Sequence, residues 1–268
     1  MACKRNRIID LINYTEGFGI KVKVAKNKAQ GNRGFFKAKN NDLRIDIAKG
    51  LDDNATFRTL VHEFIHYVHY SYDKTLKSLD FIFDNYKDDY MEDLISLTVD
   101  LIPKNSVKPF FDRQEECKSK VNYYLKILQK IYPDIRKNVQ YKKIENKIGF
   151  GDLKYLLKYD RVKVLKGFKN YIYSVENLEN DFPDIDDDIK NYLYLKSAER
   201  NLKRINSKIS RLNRYYNSPT ELLARSFEYY ISEPEKMEIK SPKLYEFYKK
   251  LCKNNKIPMI TELAKISE

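Results

Sequence analysis

Leu60-Val61-His62-Glu63-Phe64-Ile65-His66-Tyr67-Val68-His69 holds every histidine of this 268-residue chain. His62, Glu63 and His66 spell H-E-x-x-H. On a helix, residues four apart lie one turn above one another on the same face. Two imidazoles so placed suit one zinc ion approached from one side, and Glu63, one step round from His62, suits a general base beside it. The alternative is a surface helix that carries two histidines. The flanking residues favour a packed helix. Asp52-Asp53-Asn54 supplies N-cap candidates, and Phe57, Leu60/Val61, Phe64/Ile65 and Val68 form an apolar stripe at helical spacing, largely turned away from the histidines.

Upstream, Leu43-Arg44-Ile45-Asp46-Ile47 alternates apolar and polar residues, the pattern of a half-buried strand ending at Gly50. Its free edge is expected to pair with an extended peptide and hold it across the metal. A catalytic zinc needs a third protein ligand and an open position. The chain has no further histidine, so the ligand is a carboxylate unless His69 serves. His69 is seven residues from His62, about 10 Å along the axis, too far for three imidazoles of one unbroken helix to meet one ion. It is expected behind the ligands, in a pocket wall, or exposed.

The best carboxylate lies in Tyr215-Tyr216-Asn217-Ser218-Pro219-Thr220-Glu221-Leu222-Leu223-Ala224-Arg225-Ser226-Phe227-Glu228-Tyr229-Tyr230-Ile231. Ser218 or Thr220 near Pro219 marks a helix start, and Leu222/Leu223, Phe227 and Tyr230/Ile231 carry its apolar face. Glu221 falls in the first turn, where a carboxylate also suits the helix dipole, so capping is its alternative role. Glu228 recurs on the same face about 10 Å further along, placed to orient a histidine from behind.

H-E-x-x-H on one helix followed by E-x-x-A-x-x-F on another resembles the glutamate-type zincins. Within them it looks most like the phage- and mobile-element-associated metallopeptidases, the ImmA/IrrE-like and polyvalent-protein zincins, which often read P-x-E-L-x-A-R-x-F-E. Lethal-factor-like toxin peptidases have a similar second helix. The matching stretches are about residues 43–73 and 215–231, well under a quarter of the chain. The resemblance implies a zincin-like fold, a zinc metalloendopeptidase acting on a protein or peptide, one Zn2+, and Glu221 as the third ligand. Relatives also place a tyrosine a few residues before the ligand glutamate. Tyr215 is therefore the candidate donor to the carbonyl oxygen on which charge builds during hydrolysis. Two departures stand out. The usual glycine before the second metal histidine is Ile65, and the long gap between His66 and Glu221 implies an inserted helical region.

Composition fits a soluble enzyme. With 42% hydrophobic residues and only 8 glycines and 8 prolines, the chain is expected to pack rather than stay disordered. Met1-Ala2-Cys3-Lys4-Arg5-Asn6-Arg7 lacks the apolar run of a secretory signal, and no 18-residue apolar segment suits a membrane span. Cys3, Cys117 and Cys252 are odd in number and far apart, which suggests reduced thiols in a cytoplasmic protein.

Between the motifs, Asp88 to Ile102 and Gln114 to Tyr132 show helical periodicity, punctuated by Pro103, Pro109 and Pro133. Arg161-Val162-Lys163-Val164-Leu165 and Tyr171-Ile172-Tyr173-Ser174-Val175 suggest a hairpin around Gly167. The acidic run Asp181 to Asp188 lacks the glycine and terminal glutamate of a calcium loop, so a helix entrance is expected. Leu195, Ala198, Leu202, Ile205, Ile209, Leu212 and Tyr216 then repeat at steps of three and four, one apolar helical seam. Lys196, Arg200, Lys203, Arg204, Lys208, Arg211 and Arg214 occupy its polar faces. With a whole-chain charge of +13, that row suggests a solvated exterior, a nucleic-acid contact or an acidic protein partner.

The sequence therefore predicts an α+β, mostly α fold of zincin type. It would comprise a small N-terminal sheet and H-E-x-x-H helix in 1–75, a helical insertion in 76–190, and a basic helix, second ligand helix and helical tail in 191–268, together one composite catalytic domain. The expected activity is zinc-dependent peptide-bond hydrolysis. The alternatives are a nucleic-acid-binding accessory protein and a regulatory module that binds without cutting, each with a structural zinc. Glu63 argues for the enzyme, because a structural site needs no base there.

Overall fold

The computed structural model describes residues 2–26, 33–39, 42–101, 104–133, 135, 144–146, 161–163, 170–172 and 175–267. The described chain is mostly helical with a small sheet, as expected. Its internal contacts divide it into two units, residues 1–103 with 213–268, and residues 104–212. These borders do not coincide with those expected at 75/76 and 190/191. Residues 76–103 share the packing of the H-E-x-x-H helix, because Leu79, Ile82, Phe83, Leu94 and Leu97 are buried in the same core as Leu60, Phe64 and Val68.

The first unit opens with a helix that composition alone did not signal, α1 (Ala2–Glu16). Three strands follow: β1 (Lys21–Lys26), β2 (Gly34–Lys39) and β3 (Asp42–Ala48). β3 is central, parallel to β1 (Val22 opposite Ile45) and antiparallel to β2 (Phe36 opposite Ile45). The strand expected to offer a free edge is therefore paired on both sides, and the outer strands are β1 and β2. Asp46, expected on a solvated face, is buried and pairs with Arg44 Nε at 3.0 Å. Gly50 closes the segment with φ +88°, a left-handed turn that glycine adopts without strain.

α2 (Asp53–Tyr72) carries H-E-x-x-H. Asp52 caps it by accepting the Ala55 N–H at 2.7 Å, and Leu60, Val61, Phe64, Ile65 and Val68 are fully buried. After it come α3 (Asp80–Phe83), a 3-10 turn (Asp84–Tyr90) and α4 (Met91–Leu101).

In the second unit, α5 (Lys104–Ile131) runs through Pro109, expected as a boundary. That residue is the sixth of a long helix, so its missing donor removes one hydrogen bond near the end rather than mid-helix. β4 (Arg161–Lys163) and β5 (Asn170–Ile172) pair antiparallel, and Gly167, expected at their turn, lies outside the described residues, as does Pro103. α6 (Leu178–Asp181) and the acidic stretch lead into α7 (Asp187–Tyr216). A separate core holds Leu125, Leu128, Leu178, Tyr192, Leu193 and Leu195. Along the α7 seam, Leu195, Ala198, Ile205 and Ile209 are buried, and Leu202, Leu212 and Tyr216 are half-buried.

The last residues of α7 return the chain to the first unit. There α8 (Pro219–Ser232), α9 (Pro234–Lys240), α10 (Pro242–Lys253) and α11 (Pro258–Ser267) each begin at a proline. Proline's fixed φ suits a first turn, and its missing donor would be unpaired there anyway. α8 packs along α2 and α4. Tyr248 of α10 is fully buried, stacks on Phe227 with centroids 4.0 Å apart, and shares a 2.7 Å hydrogen bond with Ser226, which locks α8 in place. Cys117 and Cys252 are not joined in disulfides. Among the described residues, no helix is long and apolar enough to cross a membrane.

Candidate metal centre

His62 and His66, one turn apart on α2, meet Glu221 from the first turn of α8. All three are at most half exposed, and Glu221 is buried. His62 Nε2 and His66 Nε2 lie 3.1 Å apart, His62 Nε2 and Glu221 Oε2 3.5 Å, and His66 Nε2 and Glu221 Oε1 3.2 Å. Donors about 2.0–2.1 Å from a tetrahedral ion are spaced about 3.3–3.4 Å from one another. The three side chains thus match one face of such a site. Two further observations fit a cation. Two imidazole nitrogens facing each other repel unless a proton or metal lies between them, and Glu221 Oε2 is buried without a hydrogen bond. These residues are suited to hold a metal ion.

The groups behind the ligands fix their orientation. His62 Nδ1–H donates to Glu228 Oε2 at 3.1 Å, which turns Nε2 toward His66 and Glu221. Glu228 is itself held by Arg58, whose Nε donates to it at 3.1 Å and whose Nη1 donates to Glu233 at 2.6 Å. His66 Nδ1 shares a 2.8 Å hydrogen bond with the Thr220 hydroxyl, which leaves its Nε2 for a ligand role. Arg225 Nη2 lies 3.4 Å from Glu221 Oε2, and its guanidinium sits 5.1 Å from the Tyr216 ring centroid.

The charges reinforce one another. Burial alone would lower the His62 pKa, but Glu221 and Glu228 outweigh it and raise it to about 10 in the metal-free chain. Burial would raise Glu221, yet His62 and His66 hold its carboxyl far below the usual range. Glu228 is likewise lowered, against its burial, by His62 and Arg58.

Glu63 lies beside the ligands, anchored by an unforeseen partner. The backbone N–H of Phe36 in β2 donates to Glu63 Oε2 at 2.8 Å. Gly34 allows that approach, since a Cβ there would meet Thr59 Cγ2 at 2.5 Å and Glu63 Oε1 at 2.8 Å.

Tyr215 sits at the end of α7 with its ring partly exposed while its hydroxyl interacts with Glu221. Desolvation of that hydroxyl, then the charges of Glu221 and Glu63, push its pKa well above the ordinary phenol value. His69 does not join the site. It is fully buried, its Nε2–H donates to the Ser78 carbonyl at 2.7 Å, and its ring lies against Phe81. It ties the end of α2 to the following loop, because seven residues carry it two turns from His62.

The structure brings together His62, Glu63, His66, Glu221, Glu228 and Tyr215, which the sequence singled out, with Arg58, Thr220, Arg225, Gly34 and Phe36, which it did not assign to the site. Thr220 and Arg225 stood inside the quoted motif. The Phe36 contact is a backbone donor and leaves no side-chain signal. Comparison with known protein families, characterised proteins and solved structures finds no significant match.

Proposed function

We propose that this chain is a zinc-dependent peptidase of the glutamate-type zincin kind, with His62, His66 and Glu221 as ligands and Glu63 as general base. The supporting observation is the pairing of a three-donor face of near-tetrahedral spacing with a carboxylate anchored beside it. A structural metal site has no use for such a carboxylate. Two imidazoles and one carboxylate with an open fourth position are the ligand set of catalytic zinc. When bound, zinc would activate water and polarise the scissile carbonyl.

The remaining steps belong to the chain. Glu63 takes a proton from the attacking water and returns it to the leaving amine. The Phe36 N–H keeps one carboxylate oxygen still, so the other is the one available for proton transfer. Tyr215, whose hydroxyl lies beside Glu221, would donate to the developing oxyanion, and its raised pKa supports a proton held in place at neutral pH.

Substrate alignment is assigned to β2. Arg33 accepts the Ala48 N–H at 2.7 Å, so odd-numbered residues of this strand face β3. The backbone groups of Gly34, Phe36 and Ala38 then point to the open side, as the Phe36 contact illustrates. Those not used by Glu63 suit an extended peptide added as a further strand.

The test is elemental analysis of the purified chain combined with digestion of an unfolded protein substrate. The parent should carry one zinc and cut. Glu63→Gln should keep its zinc and lose about 10²- to 10⁴-fold in rate. A zinc-loaded parent that cuts nothing, or a Glu63→Gln variant that cuts equally well, would overturn the assignment.

A further inference from the structure

The second ligand helix carries a cation of its own beside the metal centre. Arg225, one turn after Glu221 on α8, brings Nη2 to 3.4 Å from Glu221 Oε2, and both side chains are largely buried. Its guanidinium lies over the Tyr216 ring, 5.1 Å from the centroid, and Tyr216 meets the Tyr215 ring edge-on at 5.3 Å. The Tyr215 hydroxyl in turn interacts with Glu221. The four side chains thus close a ring across residues 217 and 218, where α7 gives way to α8. Within it, Glu221 Oε2 and Arg225 Nε are both buried without a hydrogen bond among the described residues. Nε and Nη2 form one edge of the guanidinium, the edge that grips a carboxylate in a side-on fork. A cation buried this close to a metal ligand opposes the charge of the metal, so packing alone gives no reason for it.

We propose that Arg225 is a positioning residue that limits Glu221 to one donor oxygen: it holds Oε2 and leaves Oε1 to the ion. The inference rests on the metal reading above. The histidines do not choose between the two oxygens. Oε1 lies 3.2 Å from His66 Nε2 and Oε2 3.5 Å from His62 Nε2, so a carboxylate left to itself could grip one ion with both. A second oxygen would add a donor to the set and crowd the open position that catalysis needs. Arg225 breaks that symmetry, because its contact is to Oε2. Three features suit it to the role. Arginine keeps its charge at every working pH, so titration does not release the hold. Burial of both partners strengthens their attraction. The Tyr216 ring seats the guanidinium, a support that an exposed pair one turn apart on a helix does not have. Arg225 acts on the metal centre through Glu221, and on the Tyr215 ring by way of Tyr216.

The experiment loads the full chain with Co2+ in place of zinc, compares visible spectra, and then measures zinc affinity by competition with a chelator. Four-coordinate Co2+ absorbs strongly, and a further donor weakens the band. The parent should give the strong band. Arg225→Met should lose most of it and bind zinc about tenfold tighter, because a nearby positive charge is gone. Its kcat on a cleavable peptide should fall about 10- to 100-fold with KM little changed. A merely structural role predicts the opposite sign in affinity, since a displaced ligand binds zinc more weakly. Arg225→Lys keeps the charge without the fork, so it should lie between parent and Arg225→Met in spectrum and affinity, and it carries the test if Arg225→Met does not fold. Lys249→Gln is the control. It removes an exposed cation that also sits over a tyrosine ring, 5.6 Å from the Tyr245 centroid, and pairs with Glu246, and it should match the parent. No Co2+ uptake by the parent would overturn the metal reading and this inference together. A loaded parent without the strong band, variants that share its spectrum and affinity, weaker zinc binding by folded Arg225→Met, or an equal shift in the control would each overturn the role of Arg225 alone.

Discussion

The backbone N–H of Phe36 donates to the carboxylate of Glu63 across 2.8 Å, so an outer strand of the sheet holds the side chain that our mechanism uses as its base. A main-chain donor cannot rotate away as a side chain does. The base is thereby referenced to the strand assigned to substrate alignment, and a displacement of one is felt by the other.

Gly34→Ala tests that coupling. The added Cβ would sit 2.5 Å from Thr59 Cγ2 and 2.8 Å from the Glu63 side chain, so β2 must move away from α2. Overpacking of this kind costs about 1–3 kcal/mol. Thermal unfolding should show the loss, and turnover should fall further than Tm alone explains, with zinc content preserved. A variant that cuts at the parent rate would show that the strand does not position Glu63.

Ligand and supporting groups should separate by zinc affinity. Glu221→Ala removes a donor and should abolish stoichiometric binding in competition with a chromophoric chelator. Glu228→Gln and Thr220→Val leave every donor in place but remove the hydrogen bonds that orient His62 and His66, and should weaken affinity about 10- to 100-fold. His69→Gln should leave it unchanged, since His69 is bonded to Ser78 instead. Normal zinc occupancy in Glu221→Ala would remove it from the ligand set.

Tyr215→Phe keeps the ring and deletes the hydroxyl beside Glu221. Turnover on a cleavable peptide should drop by one to three orders of magnitude, about what removal of one oxyanion donor does, with little change in KM, zinc content or Tm. A variant that turns over normally would eliminate Tyr215 as the donor. Loss of stability instead would make it a packing residue.

Zinc binding should be linked to pH. In the metal-free chain, burial lowers the His62 pKa but Glu221 and Glu228 raise it to about 10. The ion must displace that proton, so apparent affinity should rise up to tenfold per pH unit between pH 7 and 9, with about one proton released per zinc at neutral pH. Calorimetry in buffers of different ionisation enthalpy measures the release. The stability of the metal-free fold should follow the opposite trend. A raised pKa contributes stability fully present below the unfolded value near 6.5 and lost as pH rises through about 10. Affinity that is flat between pH 7 and 9 would contradict this charge arrangement.

Legibility in the sequence followed the range of the interactions. His62, Glu63 and His66 were readable because helical periodicity alone puts them together, and the apolar stripe of Leu60, Phe64 and Val68 showed which side packs. Glu221 was readable as a first-turn carboxylate of a helix marked by Pro219, though only the packing of α8 along α2 brings it to the histidines.

The sequence by itself determined the candidate metal-binding pair and the glutamate beside it, the mostly helical class and the starts of α2 and α8, because each is specified by residues within one or two turns of each other. Tertiary structure alone decided that β3 is central with β1 and β2 at the edges, that His69 turns to Ser78, and that Arg58 and Phe36 bond to Glu228 and Glu63. Strand order and backbone hydrogen bonds are set by which surfaces bury together, and a main-chain N–H has the same identity at every position until the fold chooses its partner.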